Sequence, residues 1–173
     1  MHHSRYGKPL ELEQSLNFAA IIKNAKREGS ILDAEGGEFT YDNKLTLWPI
    51  NPKRNQRLVF NHQKDKKFTI HPEVDKNLLL YVKLDEKGYV LPGSSIQINM
   101  IKQSKKDIGE PKRKILENEQ WNFEYLENGY IIISNAYDTD YVIDGGGPEL
   151  TMQLRDEQKK SQFWSEIGRV NLR

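Results

Sequence analysis

Short runs of alternating apolar and polar residues, separated by turn residues, dominate the chain, and helical periodicity is scarce. Twelve such runs are present, at residues 21–22, 31–32, 45–48, 58–60, 68–70, 78–82, 89–90, 96–98, 121–123, 130–133, 141–143 and 150–152. They recur about every 8–12 residues, a spacing typical of all-β sandwiches and barrels. Residues 148–160 are rich in Glu, Gln and Lys, and we predict a strand followed by a loop there. The pattern therefore predicts an all-β fold.

Self-comparison reveals an internal repeat. Two stretches share an asparagine, an aspartate nine residues later, an apolar-Thr-apolar run and a closing glutamine: Asn24, Asp33, residues 45–47 and Gln56, and then Asn135, Asp144, residues 150–152 and Gln162. A weaker middle copy lies between them, at residues 80–82, 96–98 and 118–123. A fixed internal period is the mark of a repeat architecture. Twelve short strands in three such units predict a β-trefoil, with four strands in each repeat and pseudo-threefold symmetry.

The chain is expected to form one domain. Its 173 residues suit a single domain of ordinary size. We predict a single β-trefoil over residues 1–173, with an N-terminal extension at 1–13 and repeats at about 14–60, 61–125 and 126–173.

The repeat also resembles a known family. Ser30-Ile-Leu-Asp33, Leu45-Thr-Leu-Trp48, Asn55-Gln56-Arg-Leu58, Asn118-Glu-Gln-Trp121 and Gln162-Phe-Trp164 are similar to the repeat of ricin B-type β-trefoil lectins. In that family, which is named for its Gln-x-Trp repeat, an apolar-Asp turn precedes a strand that ends in an aromatic residue and a closing Gln-x-Trp. The resemblance implies a carbohydrate-binding module. The Lys-, Asn- and Ile-rich composition is similar to that of toxin-associated, haemagglutinin-like bacterial members.

The first repeat contains the residue types that a sugar pocket needs. A sugar requires hydrogen-bond partners for its hydroxyls and an aromatic wall for its C–H face. The resemblance implies that Asp33 contacts sugar hydroxyls, that Trp48 is the stacking platform, and that Asn55 and Gln56 contact the sugar or orient Asp33. Thr46 stands where family members often carry Gln, so one contact is shortened or lost. Alternatively, Asp33 simply forms a turn by binding its own backbone.

The other two repeats depart from this set. The third repeat keeps Asp144 and Gln162, but Gln153 stands at the position that matches Trp48, and an indole's stacking surface is therefore missing there. A run of three glycines follows Asp144 and gives the backbone freedom to approach a ligand or to turn. We expect a weaker carbohydrate site at these residues, or only a turn at Asp144.

The middle repeat has Tyr81, Asn99 and Glu119 at the positions of the aspartate, the aromatic residue and the glutamine. We expect no working sugar pocket there, or a pocket for something else. Among the closing residues, Trp121, Trp164 and Leu58 are predicted to lie in the core where the repeats meet.

Composition narrows the candidate partners. Lys and Arg total 26 and Asp and Glu total 25, so the net charge of +1 gives no overall attraction to nucleic acid or to a membrane surface. The absence of Cys excludes disulfides and thiolate metal sites. His62 and His71 have no partner at a ligand-like spacing, so we predict no metal site and no cofactor.

The basic stretch from Lys102 to Lys114 is either a solvated loop or an anion-binding patch for a sulfated glycan, phosphate or acidic protein.

No enzyme motif is recognisable. We therefore expect a non-catalytic lectin for galactose or N-acetylgalactosamine glycans, acting in cell-surface glycan recognition. The alternative is a trefoil that binds protein, such as a toxin-complex subunit or a protease inhibitor, and an enzyme with an unrecognised site is a third hypothesis. A partner protein or toxin component is thus a second class of partner beside glycans.

The sequence shows no signal peptide and no membrane span, which predicts a cytoplasmic protein or one released without a standard signal.

Overall fold

A computed structural model describes residues 16–51, 56–101 and 113–172 of the protein. Twelve β-strands lie in these residues: β1 (Asn17–Asn24), β2 (Ser30–Ala34), β3 (Leu45–Pro49), β4 (Leu58–His62), β5 (Lys67–Pro72), β6 (Leu78–Val82), β7 (Ile96–Met100), β8 (Trp121–Tyr125), β9 (Ile131–Asn135), β10 (Asp138–Asp144), β11 (Thr151–Leu154) and β12 (Trp164–Leu172). Short 3-10 helices lie at Glu35–Gly37, Lys64–Lys66, Glu117–Glu119 and Lys160–Gln162. The predicted all-β class is confirmed.

Six of the strands close into a barrel. Strand β1 pairs with β4, β4 with β5, β5 with β8, β8 with β9, β9 with β12, and β12 with β1, always antiparallel. A closed ring satisfies the backbone groups that an open sheet would leave at its edges. The other six strands form three outer hairpins, β2–β3, β6–β7 and β10–β11. A six-stranded barrel with outer hairpins is the architecture of a β-trefoil.

Strand alternation gives the first hairpin one face in the core and one face outside it. The core face carries Leu32 and Ala34 of β2 and Leu45 and Leu47 of β3, all buried in the main hydrophobic cluster. The opposite face carries Ile31 paired with Trp48, and Asp33 paired with Thr46. The hydrophobic pattern of this hairpin thus places the candidate sugar-binding residues on the side away from the core.

Four phenylalanines from four barrel strands pack together inside the barrel. The ring centroids of Phe18 and Phe60 are 4.5 Å apart, and those of Phe68 and Phe123 are 5.2 Å apart. The Arg169 guanidinium lies 3.8 Å from the centroid of the Phe18 ring, which is a cation–π contact. Large buried aromatics of this kind supply much of the apolar area that a domain buries on folding.

The predicted core positions at the closing steps are confirmed. Trp121, Trp164 and Leu58 are fully buried. The Trp121 indole N–H donates to the carbonyl oxygen of Leu80 at 3.1 Å, and the Trp164 indole N–H donates to that of Ile143 at 3.1 Å. Each indole therefore joins a barrel strand to an outer hairpin, whereas Leu58 contributes only apolar contact.

One strand prediction was wrong, and one strand was not predicted. The predicted strand at residues 89–90 belongs to the connection between β6 and β7, because the Asp85 carboxylate accepts hydrogen bonds from the backbone N–H groups of Lys87 and Tyr89 and forms a turn. Strand β12 was not predicted, because it has few apolar residues and is held mainly by its pairing with β1. The strand and loop predicted at residues 148–160 are confirmed by β11.

We predict that Trp121 stabilises the fold and that Trp48 does not. Trp121→Ala should lower the free energy of unfolding by about 3–5 kcal/mol, because it leaves a large cavity in the barrel. Trp48→Ala, at an indole that is 52% exposed, should change it by no more than about 0.5 kcal/mol. Urea unfolding of both variants measures the difference, and equal losses would contradict the assignment of Trp121 to the core and of Trp48 to the surface.

Candidate functional site

The Asp33 carboxylate is held by hydrogen bonds on both of its oxygens. The Gln56 side-chain amide donates to Asp33 Oδ2 at 2.7 Å, and the Ala34 backbone N–H donates to Asp33 Oδ1 at 2.7 Å. Gln56 Oε1 in turn accepts from the backbone N–H of Asn51 at 2.9 Å. Asp33 is 0% exposed and Gln56 is 1% exposed. The structure thus pairs the two residues and fits Gln56 as the group that orients Asp33, while the contact of Asp33 with sugar stays a prediction.

Trp48 is the exposed member of the carbohydrate site predicted in the first repeat. Its side chain shares the outer face of the β2–β3 hairpin with Thr46 and Asp33. The Thr46 hydroxyl donates to the carbonyl oxygen of Pro148 at 2.5 Å, so this hydroxyl links β3 to the loop before β11. Asn55 lies outside the described residues. The Trp48 indole is therefore exposed to solvent, whereas the Thr46 hydroxyl is hydrogen-bonded within the protein.

An open groove of about 1370 Å³ lies beside Trp48. Its lining combines Thr46 and Trp48 from the first predicted site with Asp144 and Gln153 from the third. The chain separates these pairs by roughly a hundred residues, and their proximity depends on the packing of the β2–β3 hairpin against the loop before β11. Four residues that we assigned to two sites thus line a single groove, whereas Asp33, Gln56 and Gln162 do not line it.

Asp144 repeats the arrangement found at Asp33. The Gly146 backbone N–H donates to Asp144 Oδ1 at 2.7 Å, and the Gln162 amide donates to Asp144 Oδ2 at 3.1 Å and to the Leu154 carbonyl oxygen at 3.0 Å. Gln153 donates to the Thr151 hydroxyl at 3.1 Å. Both aspartates therefore bind nearby backbone, as a turn residue does, and both are also oriented by a closing glutamine.

Gly145, the first glycine after Asp144, is explained by close packing rather than by an unusual backbone angle. A Cβ atom on Gly145 would lie 2.8 Å from the side-chain nitrogen of Asn24 and 2.9 Å from a methyl carbon of Leu47. The Asn24 amide also donates to the carbonyl oxygen of Ser161 at 2.9 Å, and Gly145 N–H donates to the same oxygen at 2.9 Å. These contacts bring the β1–β2 turn, the Gly145 loop and the Ser161 turn together at the groove.

The middle set of residues consists of Tyr81, Asn99 and Glu119, and its Glu119 carboxylate forms an ion pair with Arg113. The buried Glu119 carboxylate accepts from Arg113 Nη1 at 2.7 Å, from Arg113 Nη2 at 2.6 Å and from the Asn99 amide at 3.0 Å. Arg113 also donates to the Met100 carbonyl oxygen at 2.9 Å, the bond that Gln162 makes to Leu154 in the third set. Hydrogen bonding to Glu119 raises the pKa of Arg113 above its usual range.

Tyr81 stands in the middle set where the other two have aspartate. Burial, followed by the negative charge of Asp42, raises the pKa of the Tyr81 phenol, so the hydroxyl stays protonated and donates to Gln97 Oε1 at 3.1 Å. Arg113 was not singled out in the sequence, since it lies in the basic stretch from Lys102 to Lys114. Residues 102–112 of that stretch lie outside the described residues.

The described part of the chain contains no group of three or more His, Asp or Glu side chains placed to hold a metal ion. His71 is buried, and its ring nitrogens bind the Thr69 hydroxyl at 2.7 Å and the Leu78 carbonyl oxygen at 2.8 Å. Within the same residues, no helix has the length and apolar character needed to cross a membrane.

Comparison with solved structures supports the fold. The designed threefold-symmetric protein ThreeFoil matches at a TM-score of 0.67 and 14% identity, over 86% of this chain and 97% of ThreeFoil. A mosquitocidal holotoxin matches at a TM-score of 0.66 and 17% identity, over 86% of this chain but only 17% of the toxin. The Rhizoctonia solani agglutinin matches at a TM-score of 0.63 and 13% identity, over 86% and 93% of the two chains. The sequence matches no protein-family model and no curated protein sequence. At these identities the likeness establishes the fold.

We predict that Arg113→Ala lowers the free energy of unfolding by about 3–5 kcal/mol, because it leaves the Glu119 carboxylate buried without its cationic partner. Adding Glu119→Gln to that variant should recover part of the loss, because a neutral amide is the side chain found at positions 56 and 162.

Arg155→Ala is the matched control, since Arg155 pairs with a Glu124 carboxylate that is largely exposed, and it should cost no more than about 1 kcal/mol. Denaturant unfolding of the single and double variants provides the measurement. A loss at Arg113 no larger than that at Arg155 would contradict a structural role for the ion pair.

Proposed function

We propose that this protein is a non-catalytic carbohydrate-binding module that holds a sugar ring against Trp48. The observation that carries the proposal is the half-exposed Trp48 indole at the side of an open groove. Aromatic side chains that line a cleft together with a few polar groups are typical of small-ligand sites. The flat indole face complements the C–H face of a sugar.

Polar groups around the indole supply the hydrogen bonds that sugar hydroxyls need. Gln153 and Glu149 line the same groove as Trp48, with backbone groups of the Gly146–Pro148 loop beside them. A pocket with one aromatic wall and a few placed donors and acceptors is the usual form of a small-ligand site. Asp33 and Asp144 act mainly by fixing the loops on which these groups stand, since both carboxylates are held internally.

Fold similarity supports the proposal. One of the similar structures is an agglutinin of comparable length, and another is a mosquitocidal holotoxin of which the matching part is a small share. Galactose or N-acetylgalactosamine is the sugar class that the resemblance to ricin B-type lectins implies. We propose that class as the first to test.

We also propose that the domain consists of three four-stranded repeats with pseudo-threefold symmetry. The three outer hairpins support this proposal, as do the matching hydrogen bonds at Asp33 and Asp144. The indole bonds of Trp121 and Trp164 to the hairpin strands are a second recurring contact. On this view, only the first repeat carries an aromatic platform.

A protein-binding trefoil is the second candidate function. The ion pair between Arg113 and Glu119 favours it, because a set of residues closed by its own salt bridge is poorly suited to a neutral sugar. In that case the module would join a larger assembly, as the holotoxin match allows.

We predict that Trp48→Ala lowers the affinity for lactose at least about tenfold, because truncation of a central aromatic contact removes a dominant part of the binding energy. Tyr89→Ala, at another exposed aromatic residue, should leave the affinity unchanged. Titrations followed by NMR measure both, with a glycan array on the wild-type protein to define the sugar class.

Equal lactose affinity in the two variants would exclude Trp48 as the platform. An array on which the wild-type protein binds no glycan would reject the carbohydrate-binding function and leave the protein-binding function as the better candidate.

A further inference from the structure

The groove beside Trp48 is larger than one sugar ring requires. Its volume of about 1370 Å³ exceeds the range of about 300–1,000 Å³ that is usual for small-ligand pockets. The groove is also lined by elements from opposite ends of the sequence, with Trp48 on the β2–β3 hairpin and Ser161 on the turn before β12. A ligand that fills it therefore has more than one ring.

Some of the charged groups in the groove have partners within the protein, and others have none among the described residues. Glu149 is 3.7 Å from the Lys44 ammonium, and Asp144 accepts hydrogen bonds on both oxygens. Arg27 donates to the Gly146 carbonyl oxygen at 3.3 Å. Three lysines that line the groove, Lys26, Lys159 and Lys160, are exposed, and no ion pair with a described residue involves them.

These lysines stand on turns with well-defined backbones. The Lys26 backbone N–H donates to the Asn24 side-chain oxygen at 3.0 Å. The carbonyl oxygens of Lys159 and Lys160 accept from the backbone N–H groups of Gln162 at 3.1 Å and Phe163 at 3.0 Å. The two turns are joined by the Asn24 amide and the Ser161 carbonyl oxygen, 2.9 Å apart. The three lysines therefore stand on two joined turns that form one wall of the groove.

A cationic wall that lacks internal counterions attracts an anion. The groove lining holds four positive residues, Lys26, Arg27, Lys159 and Lys160, and three negative ones, Glu35, Asp144 and Glu149. Glu149 is paired with Lys44 and Asp144 is buried, so Glu35 is the exposed carboxylate of the lining without an ion pair to a described residue. Ammonium groups bind carboxylate and sulfate by charge-assisted hydrogen bonds. The groove thus combines an aromatic platform suited to a neutral ring with a basic wall suited to an acidic substituent.

We propose that the groove binds an acidic oligosaccharide, with a neutral ring on Trp48 and a carboxylate or sulfate group at Lys26, Lys159 and Lys160. This inference rests on the proposed carbohydrate-binding function and adds to it the chemical class of the ligand. The binding surface is then a single extended site across the first and third hairpins.

The test compares lactose with two acidic derivatives, 3′-sulfated lactose and 3′-sialylated lactose, by NMR titration at low salt. The wild-type protein should bind at least one acidic form about three- to tenfold more tightly than lactose, the range expected for two or three exposed charge pairs. The two derivatives distinguish sulfate from carboxylate. Raising the salt concentration should remove this preference and leave lactose affinity unchanged.

The double variant Lys159→Ala/Lys160→Ala should lose most of the preference for the acidic form and keep the lactose affinity within about twofold. The double variant Lys83→Ala/Lys87→Ala is the matched control, because both lysines are exposed and neither lines the groove. Thermal unfolding of each variant establishes that the fold is intact.

Each outcome is informative about one of the two proposals. If lactose binds through Trp48 but the acidic forms bind no better, the carbohydrate-binding function stands and this inference fails. If acidic forms bind equally well to Trp48→Ala, the contact is non-specific attraction and this inference fails. If acidic forms alone bind, and do so through both Trp48 and the lysines, this inference stands and the neutral galactose class fails. If none of the three sugars binds, this inference and the galactose class both fail, and the glycan array on the wild-type protein decides the carbohydrate-binding function.

Discussion

The buried carboxylates are the constraint on which the arrangement of the outer hairpins depends. A carboxylate removed from water must receive hydrogen bonds or a counterion, or its burial is strongly unfavourable. Asp33 and Asp144 receive an amide from a closing glutamine, and Glu119 receives the Arg113 guanidinium. Gln56 and Gln162 come later in the chain than the hairpins that carry Asp33 and Asp144. Glu119 itself follows its hairpin and accepts a hydrogen bond from Asn99 of β7. Satisfying each carboxylate therefore ties an outer hairpin to the segment that leads into the next barrel strand.

This constraint also decides which groups remain for a ligand. The polar atoms of Asp33, Gln56 and Gln162 are committed to internal hydrogen bonds, and these residues are buried. The exposed side chains beside them, chiefly Trp48 and the groove lysines, are not held by hydrogen bonds of this kind. The polar residues that recur along the chain therefore build the scaffold, and we expect the binding surface to consist of residues that contribute little to the stability of the fold.

Much of the fold was predictable, because a β-trefoil repeats its own pattern along the chain. The matching Asn, Asp and Gln positions indicated corresponding hairpins, and the apolar character of Trp121, Trp164 and Leu58 at the closing steps indicated the core. The errors have physical causes. Strand β12 has little apolar patterning and exists because β1 and β9 pair with it, while the apolar pair at residues 89–90 is held in a turn by Asp85.

The sequence by itself determined most of the strand pattern, the buried tryptophans at the closing steps and the exposed indole of Trp48, because these follow from alternation and local turn chemistry. Only the tertiary structure decided that Trp48, Asp144 and Lys160 line one groove. It also decided that Arg113 makes the hydrogen bond to the Met100 carbonyl oxygen that corresponds to the bond from Gln162 to Leu154. Those relations depend on which turns pack against each other across the barrel. Gly145, which leaves room for Asn24 and Leu47, permits that packing, and spacing along the chain carries no record of it.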